Sequence, residues 1–459
     1  MELASGSEAN GMGSAAKEPN PCPPAILSGR KDEKGAAESG ATGMKDVSAI
    51  ILAAGEGTRM KTETPKVLHE VGGRMMLRRV VDNLKQAGAG KIAAIVGYKA
   101  GLVEELFESE IDLIRQTELL GSADALARAE DHLRGHEGPV LVTCGDSPLM
   151  ISDTFRRLAE EHAKSGSSCT IVTSKVEDPT SYGRIKKGPD GSVLGIVEEK
   201  DASEEEKRIN EINTGTYCFD NADLQGFLSR IRMNEKKKEF YLTDIIGILV
   251  ESGKKVGTVS CKSEESLGIN SRRDIAMANR ILKEKKLEEL MDSGVTIVDP
   301  GTTTVDEDAE IGRDTVIYPN TVIESGVKIG TKCKIGPFAR LRTGATIGDE
   351  AEIGNFVEIC RSEIGERSKV KHLTYLGDAQ VGRDVNVGAG TITANYDGRN
   401  KNRTVIEDGA SIGAGAVLVA PVKIGKGATV GASSVVTKNK DVPAGATVAG
   451  VPARELKKT

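Results

Sequence analysis

The 459-residue chain predicts an α/β protein: an open, mostly parallel sheet with covering helices, then a linker helix, then a parallel β-helix of six-residue repeats. Three observations predict it. Apolar runs of strand length alternate with helical stretches over 46–271. One long stretch over 272–291 then carries apolar residues at Ile275, Ile281, Leu282, Leu287 and Leu290 among many charges, the pattern of an amphipathic helix. From Val305 an aliphatic residue opens a new unit every six positions: VDEDAE, IGRDTV, IYPNTV, IESGVK, IGTKCK, IGPFAR, LRTGAT, IGDEAE, IGNFVE, and after Val405 IEDGAS, IGAGAV, LVAPVK, IGKGAT, VGASSV. A fixed short period marks a solenoid, in which each unit buries its apolar side against its neighbours. Six fits a coil of three short strands, each with one inward Ile, Val or Leu and a turn after it.

Residues 1–45 are rich in Gly, Ala, Ser and Glu, contain PNPCPP, and show no apolar periodicity. They cannot bury enough surface to offset chain entropy and are expected to be a disordered extension. They contain no apolar core of a secretory signal. Met44 directly precedes KDVSAIILAAG and is a candidate for the true start. The run 47–52 reads as a strand buried on both faces. AAGEGTRM then turns the chain, with Gly55 and Gly57 letting backbone N–H groups approach a phosphate and Arg59 adding charge. This is neither a Walker A loop nor GxGxxG, so those nucleotide-binding readings fail on spacing. Taken alone it is equally an ordinary strand-to-helix turn. IAAIVGY, PVLVTCGD and CTIVTSKV supply further strands, and ligands of such sheets sit beyond the carboxyl ends of the strands, where Asp146 is placed as a natural Mg²⁺ ligand. The domains are therefore expected at 46–271 and 295–459, joined by a linker over 272–294.

Composition narrows the function. The net charge is −6 with scattered basic residues, so neither nucleic acid nor an anionic membrane is the main partner. No apolar run approaches the ~18 residues of a membrane span. The seven cysteines show no metal-ligand spacing, which points to a reduced, cytoplasmic protein. Aromatics are 3% and Trp is absent, as suits a solenoid with an aliphatic interior. Within the repeats, KHLTYLGDAQVGRDVNVGAGTITANYDGRNKN carries His, Tyr, Asn and Lys that a scaffold does not need. Residues 393–404 break the rhythm and should leave the coil as a loop.

LAAGEGTRM, TPKVLH, CGDSP, YGRI, VEEKDA and EINTG, in this order, resemble the sugar-1-phosphate nucleotidyltransferases. With the hexapeptide array, HLTYLGD and NYDG, the chain over 47–454 is similar to the bifunctional N-acetylglucosamine-1-phosphate uridylyltransferase/glucosamine-1-phosphate N-acetyltransferase family. That resemblance implies a Rossmann-like nucleotidyltransferase domain, a linker helix and a left-handed parallel β-helix that acetylates, with UTP and acetyl-CoA as substrates and one or two Mg²⁺ ions. It implies that Arg59 and Lys66 meet the phosphates, and that Asp146 with Asn270 holds Mg²⁺. Leu52, Ala53, Ala54, Gly55, Gln116, Gly121, Ser122 and Gly145 would cradle the uridine nucleotide, and Gly183, Glu198, Asn213 and Thr214 the sugar. In the repeats His372 would be the general base, since acetylating an ammonium requires its proton to be removed. Arg342, Tyr375, Asn386, Asn395 and Tyr396 would bind sugar phosphate, and Ala389, Ala414 and Ala432 would line the acetyl-CoA groove. The loop is expected to reach a neighbouring subunit of a homotrimer, with Lys401 acting across the interface.

The resemblance has gaps. Cys144 replaces an expected Tyr, and Ser122 the more usual Thr. The family's active-site lysine after FVE falls on Cys360. Arg361 beside it is the other candidate cation, although successive strand residues point to opposite faces. Individually, Lys66 also reads as a surface charge, Asn270 as a helix cap, and Glu198 with Lys200 as an exposed pair. The repeat array is also about two coils shorter than in relatives. The main reading is an enzyme with two activities; the alternative is a nucleotidyltransferase whose β-helix only forms a trimerisation scaffold.

Overall fold

The computed structural model of the chain describes residues 44–235 and 238–456. The extension expected over 1–45 lies outside these up to residue 43, and its last two residues depart from the expectation. Met44 is 7% exposed and joins the apolar cluster that contains Val47 and Leu84. A turn closed by Val47 N–H donating to the Met44 carbonyl (3.1 Å) brings it there.

The main sheet runs, edge to edge, Val256–Ser260, Cys169–Lys175, Glu211–Phe219, Val140–Cys144, Ser48–Ala53, Lys91–Val96 and Asp112–Arg115. Glu211–Phe219 is antiparallel to both its neighbours and the other pairings along this path are parallel. The hairpin Arg184–Lys187 and Val193–Val197 hangs from Glu211–Phe219. After Ser48 the strand Ser48–Ala53 is apolar throughout because it faces two cores: Ala49 and Ile51 enter one cluster, Ile50 the other.

The linker helix spans Arg272–Asp292 and starts with a capping box, Ser271 and Asp274 each accepting the other's backbone N–H. It is shared by two cores. Ala278 packs with Val71, Met76, Leu149 and Ile269 of the first domain, whereas Leu287 and Leu290 close the end of the β-helix core. Arg79 ties the same junction: its guanidinium donates to the carbonyls of Val71 and Gly72 and pairs with Glu307 of the first coils.

The β-helix is three sheets of short parallel strands, and Ile317, Ile335, Ile353, Val370, Val387, Ile412, Val430 and Val448 stack along one of them. Left-handed residues turn the corners in columns: Asn320, Phe338, Phe356 and Leu373 at one; Gly326, Gly344, Arg361 and Asp378 at another. Most edges take six residues. Two take five, Ile359 to Ile364 and Leu376 to Val381. The missing residue brings the left-handed corner one position earlier along the edge, to Arg361 (φ +48°) and, one coil on, Asp378 (φ +50°), where the six-residue edge before them turns at Gly344.

Candidate functional sites

At the carboxyl ends of the parallel strands, the loop after Ser48–Ala53 lies against Lys66. A Cβ on Gly57 (φ +67°) would sit 2.8 Å from the Lys66 Cβ, so only glycine lets the loop close on that lysine. Gly145 N–H donates to the Leu52 carbonyl (2.9 Å), which fixes the turn that presents Asp146. Lys66 Nζ pairs with Asp146 and donates to Asn270 Oδ1 (3.2 Å), and Arg59 Nη2 donates to the same oxygen (2.8 Å). Asn270 is not the helix cap: Ser271 is, and Asp274 Oδ2 accepts both the Asn270 and Ser271 N–H groups (2.8 Å each). The cap therefore aims the Asn270 amide at the phosphate loop. Asp146 and Asn270 oxygens converge on one ammonium, and such a pair of oxygens could hold a small hard cation.

Gln116 is buried and donates to the Gly121 carbonyl (3.2 Å) and Asp124 (2.7 Å). Ser122 Oγ accepts from Leu242 N–H (3.0 Å). Ala54 accepts from Tyr98 N–H (3.0 Å). Gly183, Glu198 and Asn213 converge: a Cβ on Gly183 would lie 3.6 Å from both the Asn213 Cβ and Glu198 Oε1. Burial raises the Glu198 carboxyl above its ordinary range, against a hydrogen bond from Thr243 (2.9 Å). It is not an exposed surface charge. Thr214 turns its hydroxyl into the sheet, donating to the Val172 carbonyl (2.8 Å), so only its backbone faces this site. Sequence reasoning missed Thr243 and Tyr217; the Tyr217 hydroxyl accepts from the Asn213 amide (2.7 Å) and fixes its orientation. Cys144 lies against Gly215, and burial with Asp146 nearby pushes its thiol up to about 12. It stays protonated and inert.

The second cluster lies on the β-helix. His372 ends the strand Lys369–His372 and stands in register with Asn355 one coil earlier. Its Nδ1 lies 2.7 Å from Asn355 Oδ1. That oxygen only accepts, so Nδ1 is the donor, which in a neutral imidazole leaves the lone pair on Nε2. The exposed ring borders a groove of about 230 Å³ lined by Tyr318, Lys334, Asn355 and Lys371. Asn386 lies on the next strand of the same sheet, in register with Lys369. Ala389, Ala414 and Ala432 stack as a column, with Gly415 N–H donating to Ala389 O and Ser433 N–H to Ala414 O (2.7 Å each).

Around the corner at Leu373, Tyr375 pairs with Glu358, and Cys360 with Gly377. Cys360 is on the outer side of its strand yet buried, because Arg361 lies across it and its Nη1 donates to the Cys360 sulfur (2.9 Å). The alternation that would turn Arg361 away does not apply, because the five-residue edge puts it in the corner. Arg342 Nη1 donates to Glu358 (3.0 Å) and its buried Nε has no hydrogen-bond partner. Asn395 donates to Asp378, and the hairpin it opens is closed by the Tyr396–Lys401 bridge and by Asp397, which accepts from the N–H groups of Arg399 (3.0 Å) and Asn400 (2.7 Å). Tyr396 is 62% exposed at its tip. Asn355 and Asp378 are the residues of this cluster that sequence reasoning missed; the five-residue spacing was the available signal for the second.

Among the described residues no helix is long and apolar enough to cross a membrane. Residues 48–268 match the nucleotidyl transferase family, and 308–343, 326–361 and 403–438 match the six-repeat bacterial transferase hexapeptide. Over 412 aligned residues the chain is 45% identical to the bifunctional protein GlmU of Geobacillus thermodenitrificans, covering 82% of this chain and 90% of that protein. Bifunctional GlmU proteins of Shouchella clausii and Pelotomaculum thermopropionicum are 43% and 46% identical, with 82% of this chain covered and 91% and 90% of theirs. An α/β nucleotidyltransferase domain and a hexapeptide β-helix in one chain, each with its own cluster of polar side chains, match these relatives along most of their length: the chain belongs to the family of bifunctional GlmU proteins, enzymes with a nucleotidyltransferase and an acetyltransferase activity.

Proposed function

We propose that the chain acetylates glucosamine-1-phosphate with acetyl-CoA at the β-helix cluster, then transfers UMP from UTP to N-acetylglucosamine-1-phosphate at the sheet cluster. The observation that carries this reading is the pair of unlike polar clusters: cations converging with Asp146 and Asn270 in one, and on the β-helix an imidazole oriented by Asn355 together with Arg361 laid over Cys360. In the first, a sugar phosphate oxygen attacks the α-phosphorus of UTP and pyrophosphate leaves. Both reactants are anions, so positioning and charge neutralisation do the work. Arg59 and Lys66 supply fixed positive charge; Gln116, Gly121 and Ser122 border the nucleotide; Gly183, Glu198 and Asn213 hold the sugar. Asp146 and Asn270 would hold Mg²⁺, which when bound neutralises phosphate charge.

In the second, His372 Nε2 takes a proton from the sugar ammonium. The freed amine attacks the thioester carbon, the carbon–sulfur bond breaks, and CoA leaves as the thiol once protonated. Arg342, Arg361, Tyr375, Asn395 and Lys401 meet the sugar phosphate, and the column of Ala389, Ala414 and Ala432 leaves room for acetyl-CoA. The apolar corner ridge of Phe338, Phe356 and Leu373, with the protruding Tyr396, supports a homotrimer that buries the ridge and shares the hairpin. The six cysteines among the described residues are all free, as suits the cytoplasm.

Cys360 favours a second reading, in which the β-helix is only a scaffold. Pyrophosphate release and CoA release, assayed separately, decide between them. Asp146→Ala should abolish the first and spare the second, and His372→Ala should do the reverse. Absence of CoA release by the unaltered protein, with uridylyl transfer intact, would establish the scaffold reading, and joint loss of both activities in either variant would refute separate sites.

A further inference from the structure

We propose that Asp378 is a positioning residue of the acetyl-transfer site: it holds the Arg361 guanidinium over Cys360, where that group serves as the phosphate-binding cation that position 360 lacks. The inference rests on the reading of Arg361 as a sugar-phosphate ligand. A cysteine at 360 supplies no charge, and an arginine on a strand neighbour would project to the other face. Two features of the coil change that outcome. The five-residue edge makes Arg361 a left-handed corner residue, packed on Gly344 of the previous coil, where an added Cβ would lie 3.3 Å from the Arg361 Cα. The next edge is also five residues long, so Asp378 occupies the same corner one coil on, its N–H donating to the Cys360 carbonyl (3.1 Å).

From there Asp378 takes one side of the guanidinium in a bidentate pair, Nε to Oδ1 at 2.7 Å and Nη2 to Oδ2 at 2.8 Å. The fork geometry fixes the plane of the group and leaves Nη1 directed across Cys360. Asp378 stays ionised, because its hydrogen bonds with Arg361 hold its carboxyl below the ordinary value. The same carboxylate accepts from Asn395, so one anion orients a cation from one coil and an amide from the mouth of the hairpin. Arg342, whose Nη1 donates to Glu358 (3.0 Å) and whose Nε lies 3.9 Å from Glu324, places a second guanidinium near Cys360. A phosphate monoester is the kind of anion that guanidinium groups bind. Without Asp378, the long Arg361 side chain is free to extend into solvent.

The test measures glucosamine-1-phosphate binding by calorimetry, with UDP-N-acetylglucosamine present to fill the nucleotidyltransferase site, and CoA release in parallel. Asp378→Asn keeps size and one acceptor but loses the anionic fork. It should weaken binding about tenfold and raise the sugar-phosphate KM alike, since a charge-assisted contact is lost, with kcat and the acetyl-CoA KM within about twofold. Arg361→Ala should weaken binding by at least as much, and the double variant no further than Arg361→Ala alone. Uridylyl transfer, unchanged in all three, reports intact folding. Unaltered affinity in Asp378→Asn, or in Arg361→Ala, overturns the proposal. So does an equal loss from Asp378→Asn in the Arg361→Ala background, which would place its effect on Asn395 or on the coil. Sugar-phosphate binding by the unaltered protein without CoA release would remove the acetyltransferase reading and leave the positioning role standing on the affinities. Failure of the unaltered protein to bind the sugar phosphate would sink both.

Discussion

Removing the Asn355 amide should slow acetyl transfer about fivefold without changing how either substrate binds. The imidazole of His372 is exposed, and the hydrogen bond from its Nδ1 to Asn355 Oδ1 at 2.7 Å fixes both ring rotation and tautomer. A general base has to present a lone pair, and it does so only while the proton resides on the other nitrogen. In Asn355→Ala the ring samples both tautomers and several rotations, and one net hydrogen bond, about 1 kcal/mol, no longer favours the productive state. At about 1.4 kcal/mol per decade this is a loss of about fivefold in kcat. Loss of the base itself in His372→Ala should cost on the order of 10²–10⁴. CoA release at saturating acetyl-CoA and glucosamine-1-phosphate reads both. The two effects share one route, so the double variant should be no slower than His372→Ala alone. A wild-type rate in Asn355→Ala, or a further loss of about fivefold on top of His372→Ala, would show that Asn355 does not act through the ring.

Two more outcomes follow from the first domain. Glu198 is a buried carboxyl with its pKa raised above the ordinary 4.5, so the KM for N-acetylglucosamine-1-phosphate should rise as pH falls towards that elevated value and the anionic acceptor is lost. Because the folded protein binds this proton more tightly than the unfolded chain, the stability gained from protonation is present at low pH and lost as pH rises through the elevated pKa. Glu198→Gln should therefore raise the Tm at neutral pH, with the gain shrinking in acid, while the KM rises; a lower Tm at neutral pH would contradict the burial argument. Gly121 holds φ +108° and ψ 178°, and an added Cβ would sit 2.5 Å from the Phe240 carbonyl oxygen. Gly121→Ala should cost on the order of 3 kcal/mol of stability and raise the KM for UTP, with CoA release at permissive temperature unaffected. An unchanged Tm would mean that the loop at Phe240 gives way freely.

The periods of the chain made the architecture legible. Alternating strand and helix patterns, the helix after Asn270 and the inward aliphatic ladder are all local in sequence, and period alone assigns them. Sites were legible where a motif is short and its chemistry rigid: Arg59, Lys66 and Asp146 gather because a glycine turn and a strand end bring them together. What escaped was contact between coils. Asn355 and His372 are 17 residues apart and meet only because adjacent coils pair in register. Thr214 shares the EINTG motif with Asn213, but the strand turns its hydroxyl inward. Tyr217 and Thr243 act through side chains that reach a neighbour's polar atom, and no period encodes that.

Arg361 shows how a short edge can supply a charge that the neighbouring strand position lacks. On the six-residue edge one coil earlier the strand ends at Leu341 and Arg342 and Thr343 precede the left-handed corner at Gly344; the edge at Ile359 has one residue fewer before its corner, and Arg361 stacks on Gly344. Shortening the edge by one residue leaves the inward ladder intact, since Ile359 and Ile364 both remain in the core. It moves only the corner, and a left-handed corner points its side chain outward and back over the preceding strand. A second five-residue edge one coil later brings Asp378 into the same column, so the cation and its anchor arise from the same change of spacing. The solenoid tolerates this because each coil needs its aliphatic positions stacked, not its corners equal in length. Functional side chains can thus be redirected at the corners while the core repeats unchanged, and the irregular units of such an array are where its chemistry is found.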